Sequence, residues 1–508
     1  MKENTRTKNA VLNISSGFIA LLGLKILAVL VRKVFLQYLS IEYLGIGDVY
    51  GSILSIISLP KTAIDGIAIY MLYEPLANHD NKTSSSLLAL FNKIYIILAL
   101  CIFVIATLLI PFLHLIISSA LPIRDLINFY LLYILNTIVS YFAASRTDLL
   151  IACQENRIQS SIVLVTSTVI NIVNMFVLIN WANFYFYLFT MIINTVITNV
   201  LIYKTCNKMH KEIFLIKEHI DLDLKTILLK IKDTLIYKSC NAIITGTDSV
   251  FISILVSTTA AGLCSNYYVL VVSVQEFIIA ITTSLISGIG HLIVKEDDKK
   301  QVEVFDVTVL IFHLLGALGF VGFSLLLNNF VALWIGKEYL LDSLTVFVIA
   351  FNFYLSNALL PMYIFREANG LFGEVKHMLM IRAIVNVTLS IVFGKMWGIF
   401  GILFATPLSC LLTDFWYEPR ILFNNVLFIP KSYYFKKQLK YFVTTIISFV
   451  ICYLITSIIN CETLMNIIIT TIVIMVVICF MFIIASYKTD EQKRIMKIIN
   501  SLMYNTHC

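Results

Sequence analysis

Apolar runs of about twenty residues or more alternate along the whole chain with short polar links, and a helix needs about 20 such residues to cross the hydrocarbon of a bilayer. The pattern predicts fourteen spans, near 10–38, 44–72, 87–116, 126–145, 158–180, 183–203, 227–256, 261–294, 304–333, 343–365, 375–394, 397–415, 439–459 and 463–486. The longest links fall around 204–226 and 416–438. The links leave no room for a folded soluble domain. The expected fold class is an all-α polytopic membrane protein with two six-helix lobes and a C-terminal helix pair. The expected boundaries are 1–206 for the first lobe, 207–226 for a cytoplasmic linker and 227–424 for the second lobe, then 425–487 for helices 13 and 14 and 488–508 for a tail. A faint repeat supports the division. Val34-Phe35 and Val250-Phe251 each precede a glycine, in Gly45-Ile46-x-x-x-Tyr50 and Gly262-Leu263-x-x-x-Tyr267. Same-sense six-helix repeats are a common transporter plan.

Composition strengthens the membrane reading. Of 508 residues 59% are hydrophobic and 13% charged, whereas soluble domains carry about 25% charged residues. Lys2, Arg6 and Lys8 before the first apolar run resemble a signal peptide. The run extends past a signal h-region, so a retained first helix is expected. With the N-terminus inside, the segments assigned to the cytoplasm hold 27 of the 37 Lys and Arg, and those assigned outside hold three, Arg124, Lys337 and Lys395. That bias predicts both termini in the cytoplasm of a multi-pass protein of the cell inner (plasma) membrane. The net charge of +7 is thus a topology signal spread over many loops, not a nucleic-acid patch. The ten cysteines form no C-x-x-C pair and the eight histidines no cluster, so no metal or cofactor is expected.

With Lys230, Lys232, Lys376 and Lys440 at span ends counted among the cytoplasmic links, seven basic residues fall within spans: Lys25, Arg32, Lys33, Lys61, Lys93, Lys238 and Arg382. Lys33 and Lys93 lie near enough to helix ends to snorkel. Lys25 and Arg32 stand seven apart, on one face of the first helix. Charges so placed face a bundle interior or a watered cavity. Lys238, Asn241, Thr245 and Asp248 make one polar stripe along the seventh span, and the repeat gives Arg32 the place that Asp248 holds. A gate in which the two approach each other is one expectation; local satisfaction of each is the other. Lys61 and Asp65 can pair at i, i+4, and Pro60 is expected to kink that helix. Lys25, Arg32, Lys61, Lys238 and Arg382 together suggest a basic cavity suited to an anionic head group such as phosphate. Asp65, Asp248, Asn241 and Thr245 are candidates for gating or ion coupling.

With these motifs in view the chain resembles the O-antigen and capsule repeat-unit flippases of the multidrug/oligosaccharidyl-lipid/polysaccharide exporter superfamily. The resemblance is carried by Arg32 before Glu42-Tyr43-Leu44-Gly45, by Leu72-Tyr73-Glu74-Pro75-Leu76-Ala77, and by Asn136, Ser140-Tyr141-Phe142, Arg146 and Leu149-Leu150 before Gln154. Gly246-Thr247-Asp248, Gly262-Leu263 with Ser265-Asn266-Tyr267, the run from Leu333 to Leu341, and Trp416-Tyr417-Glu418-Pro419 continue it over some 400 residues. Lys61 departs from the pattern, standing where the family has an acidic residue, while Asp65 replaces a small one. The resemblance implies two six-helix lobes around a central cavity that works by alternating access. It implies a polyprenyl-diphosphate-linked oligosaccharide as substrate, membrane lipids as surroundings, and a polysaccharide polymerase with chain-length machinery as partners. The prenyl tail would lie along helices 13 and 14. Such a protein is not an enzyme. A drug or metabolite antiporter of the same fold is the nearer rival. A membrane glycosyltransferase or polymerase is the remoter one, because the outward loops are too short to hold catalytic residues.

Overall fold

The structure is a computed structural model, described over residues 22–216, 239–244, 246–295, 298–371, 373–459 and 462–496. Every regular element among these residues is helical. The apolar runs become α1 (22–38), α2 (Ile41–Ile57), α3 (Leu59–Ala77), α4 (Asn81–Leu108), α5 (Ile123–Val139), α6 (Ala144–Ala152), α7 (Asn156–Trp181) and α8 (Phe184–Met209). Then come α9 (Asp248–Leu255), α10 (Thr258–Lys295), α11 (Asp298–Trp334), α12 (Ser343–Ala368), α13 (Lys376–Leu412), α14 (Asp414–Leu422), α15 (Lys431–Thr456) and α16 (Leu464–Ala485). Side-chain oxygens cap several N-termini: Asp80 accepts from Thr83 N, Asn183 from Tyr185 N, Asp342 from Thr345 N and Thr463 from Asn466 N. Each satisfies an amide that the helix itself leaves open.

Nine helices among the described residues are long and apolar enough to cross a membrane, and up to eleven if each of two bent pairs is one span. The bent pairs are α2–α3, broken by 51°, and α5–α6, broken by 42°. Pro60 sits in the first turn of α3, where its missing N–H costs nothing, so the break falls just ahead of it, as its ring requires. In that count 376–427 is one span, yet α13 doubles back. Gly398 has φ 62° and ψ −135°, outside any helix. A straight helix would hold Asn386 and Thr406 about 30 Å apart; Asn386 Nδ2 donates to Thr406 Oγ1 at 3.2 Å. A Cβ on Gly401 would lie 2.1 Å from the Phe393 carbonyl oxygen. The segment is therefore two antiparallel arms, close to the predicted spans 375–394 and 397–415.

The helices pack into two compact units, Met1–Ser265 and Asn266–Cys508. In the first, the links before α2, before α5 and before α10 meet at one end: Glu42 accepts from Ala120 N at 3.0 Å, and Thr258 N donates to Ser118 O at 3.4 Å. At other links Ser85 donates to Ile216 O, and His210 contacts Glu155. Every second link thus shares one end, as an up-and-down bundle demands. The core of this unit holds Ile64, Leu72, Leu87, Phe91, Tyr95, Tyr141, Leu149 and Leu150. In the second unit, aromatic side chains of α11, α12 and α15 fill the centre, among them Phe305, Phe320, Phe365 and Tyr441. Large apolar side chains such as Leu100, Leu108, Val165, Ile172 and Val476 stay more than half exposed on helix faces. A water-soluble monomer does not expose apolar surface on this scale; the chain is a multi-pass membrane protein.

Candidate functional site

Two polar knots occupy the first unit. In one, Arg32 on α1 donates from Nη1 to the Ser265 carbonyl at 2.8 Å and from Nη2 to Ser265 Oγ at 2.6 Å. Ser265 Oγ in turn donates to Gly262 O at 2.9 Å. The carboxylate facing Arg32 is Asp48. Gly262 lies against Gly45: a Cβ on Gly45 would sit 1.9 Å from Thr258 O, and one on Gly262 2.5 Å from Ile41 O. The two glycines picked out by the sequence repeat are therefore the contact point of α2 and α10. No larger residue allows backbones so near.

The second knot joins the two bent spans. Lys61 Nζ pairs with Asp65 Oδ2 at 2.8 Å on α3, as the i, i+4 spacing predicts. Tyr95 of α4 places Oη 2.7 Å from Asp65 Oδ1 and 2.6 Å from Asp148 Oδ2 on α6. Lys61 Nζ also lies 5.8 Å from the Tyr95 ring centre and 5.9 Å from that of Tyr141, within cation–π range. Beside this knot Asn92, Tyr141, Arg146 and Tyr203 line a cavity of about 300 Å³. Arg146 Nη1 donates to Asn92 Oδ1 at 2.9 Å and the guanidinium stacks 4.6 Å over Tyr203.

The second unit carries ion pairs instead. Arg382 meets Asp414 across the hairpin end, and Arg366 meets Glu418. Lys437 bridges Asp306, at 2.6 Å, and Glu491. An apolar groove of about 420 Å³ opens between α12, the end of α13 and α15, lined by Phe351, Leu355, Phe415, Trp416, Phe435 and Leu439 among others.

Against the sequence expectations, Lys61 and Asp65 are paired as foreseen, and both belong to a larger cluster. Arg32 bonds Ser265, and Asp48 faces it. Arg382 has its own carboxylate, so neither it nor Lys61 adds uncompensated positive charge. Lys25 is half-buried on α1; Lys33 and Lys93 are exposed, as snorkelling requires. Asn241 is half-buried and Asp248 buried at the start of α9. Lys238 and Thr245 lie outside the described residues. Sequence reasoning passed over Asp148 and Tyr95. The available signal for Asp148 is an acid set in Asp148-Leu149-Leu150-Ile151-Ala152, just past residue 145, where the predicted fourth span ends.

This arrangement defines a class first: an all-helical, multi-pass membrane protein whose first unit contains two broken spans. The fold is that of solved flippases and transporters. The chain superposes on a lipid II flippase, MurJ, in an inward closed conformation, with a TM-score of 0.68 at 16% identity, over 92% of this chain and 98% of that one. It also superposes on an inward-facing multidrug resistance MATE family transporter of the MOP superfamily (TM-score 0.62, 12% identity, 81% and 98%). A Vibrio cholerae MATE transporter gives 0.55 at 15% identity, over 83% and 100%. No family model and no curated protein matches the sequence.

Proposed function

We propose that this chain is a flippase that moves a polyprenyl-diphosphate-linked oligosaccharide repeat unit across the cytoplasmic membrane by alternating access, for surface polysaccharide assembly. The observation that carries this reading is how much of the chain each likeness covers. The MurJ match exceeds the two MATE matches by about a tenth of the 508 residues. That margin is close to the length of the final pair Lys431–Ala485, the helices expected to carry a lipid tail. The apolar groove against α15 suits a prenyl chain, since its walls are almost wholly hydrocarbon and aromatic. Lys25, Arg32 and Lys238 are proposed as contacts for the diphosphate, with Arg382 and Lys61 contributing through their paired charges. Asn241, Thr245 and Asp248 are proposed to line the path of the sugar and gate it. The chemistry belongs to transport, not to catalysis. In this reading both termini lie in the cytoplasm and a polymerase receives the flipped unit.

The test is the leaflet distribution of lipid-linked glycan in cells depleted of the protein. Repeat units should accumulate on the cytoplasmic side and return outward on re-expression, and Lys25→Ala should slow the return. An unchanged distribution with unchanged surface glycan would remove the substrate and leave the drug or metabolite antiporter as the reading of this fold.

A further inference from the structure

We infer that Asp65, Tyr95 and Asp148 share one exchangeable proton, making the junction of the two broken spans a proton-binding site. The argument is a count of hydrogens. Tyr95 Oη approaches Asp65 at 2.7 Å and Asp148 at 2.6 Å. Both are hydrogen-bond distances for oxygen, and each needs a hydrogen between its oxygens. A phenol brings one, and an ionised carboxylate brings none. The second must therefore sit on a carboxyl group, with Tyr95 Oη accepting from that acid and donating to the other. Charge gives the same answer independently. Lys61 balances one carboxylate, and it holds Asp65 at 2.8 Å. That leaves the proton on Asp148, which is 2% exposed and could not be kept as an unpaired anion there without large cost.

The surroundings fit an exchangeable site better than a sealed one. The charged and titratable groups facing Asp148 are Asp65, Tyr95 and Lys61; Arg146 of its own helix turns away to Asn92 and Tyr203. Tyr141, which faces Asp65, is 4% exposed, and its hydroxyl lies beside that of Ser58 at the break of the second span. These two hydroxyls, which reach no third partner among the described residues, form a polar route beside the two-carboxylate knot, and Tyr141 also lines the 300 Å³ cavity that Arg146 borders. Each carboxylate sits in the half-helix that follows a break, Asp65 after the 51° bend and Asp148 after the 42° bend. When the proton leaves, one of the two Tyr95 contacts loses its hydrogen and the two carboxylates repel. The site thereby ties proton loss to separation of α3 from α6.

Infrared difference spectroscopy of the full chain in liposomes, titrated from acid to alkaline pH, tests this without any substrate, so its outcome is separate from that of the flippase assay. A protonated carboxyl band should be present at neutral pH, vanish at high pH, be absent from Asp148→Asn, and shift in Tyr95→Phe, which keeps both acids. Hydrogen exchange of peptides spanning 58–77 and 139–152, corrected for intrinsic rates, should rise several-fold as the band is lost, and stay low in Asp148→Asn. No protonated carboxyl at neutral pH, or a band that survives in both Asp65→Asn and Asp148→Asn, would overturn the site. Loss of the band with unchanged exchange would overturn the coupling.

Discussion

The two units handle buried charge in opposite ways. In the second, buried Arg and Lys side chains close on carboxylates: Arg366 with Glu418, Arg382 with Asp414, and Lys437 with Asp306 and Glu491. In the first, Arg32 donates to a carbonyl and a hydroxyl while facing Asp48, and the Lys61–Asp65 pair is joined to a second acid, Asp148, through a phenol. A closed pair has one low-energy arrangement and fixes helix ends. A cluster with a spare proton, or a cation held by neutral groups, has more than one, which is what a moving part requires.

Removing single partners should separate these behaviours. The largest effect is expected from Glu418→Gln, which takes from Arg366, 3% exposed, its close carboxylate and leaves Glu367 at 3.9 Å. Breaking a buried pair in this way costs about 3–5 kcal/mol, to be read as a fall in melting temperature of the purified protein. Asp148→Asn, which mimics the protonated acid, should stay within about 1 kcal/mol of the parent in the same assay. A large loss there would equate the two units. An intermediate effect is expected from Gly45→Ala, where the new methyl meets the Thr258 carbonyl. Overpacking of this kind costs about 1–3 kcal/mol, and Gly262→Ala should match it if the contact is shared equally. The smallest concerns His210, at the end of α8, whose pKa is pushed up to about 10 by hydrogen bonds to Cys153 and then Glu155. A raised folded pKa stabilises fully below the ordinary value near 6.5 and is lost as pH climbs through 10. Melting of the parent should fall over that window by about 2 °C more than that of His210→Gln, since the group is only half-buried.

Much of the architecture could be read from hydropathy because lipid imposes a length as well as a composition. The predicted 158–180, 343–365 and 463–486 meet helices at Asn156–Trp181, Ser343–Ala368 and Leu464–Ala485. The break in the second span was legible through Pro60. That in the fourth was not. Ser140-Tyr141-Phe142-Ala143 contains no proline or glycine to announce the 42° bend. Missing that bend hid Asp148, since a span ended early leaves an acid in a loop, where it needs no explanation. Gly45 and Gly262 were visible as a repeat, but the contact between them was not, because periodicity along a chain does not reveal which helices touch. Arg382 was legible as an intramembrane charge, while its partner Asp414, at the end of the next predicted span, became evident only when the hairpin brought the two together.

The turn at Gly398 also bears on biogenesis. Its two arms are joined so tightly that no hydrophilic loop is available to be threaded ahead of them, and the bend carries Lys395 and the half-exposed Trp397. An arm entering lipid alone would leave its small polar residues, Asn386 and Ser390, facing hydrocarbon. Folded together, the arms present these groups to each other and expose an apolar exterior, with indole and ammonium placed to rest at the far interface. The pair is thus suited to enter lipid as a single hairpin, with one lysine at its bend.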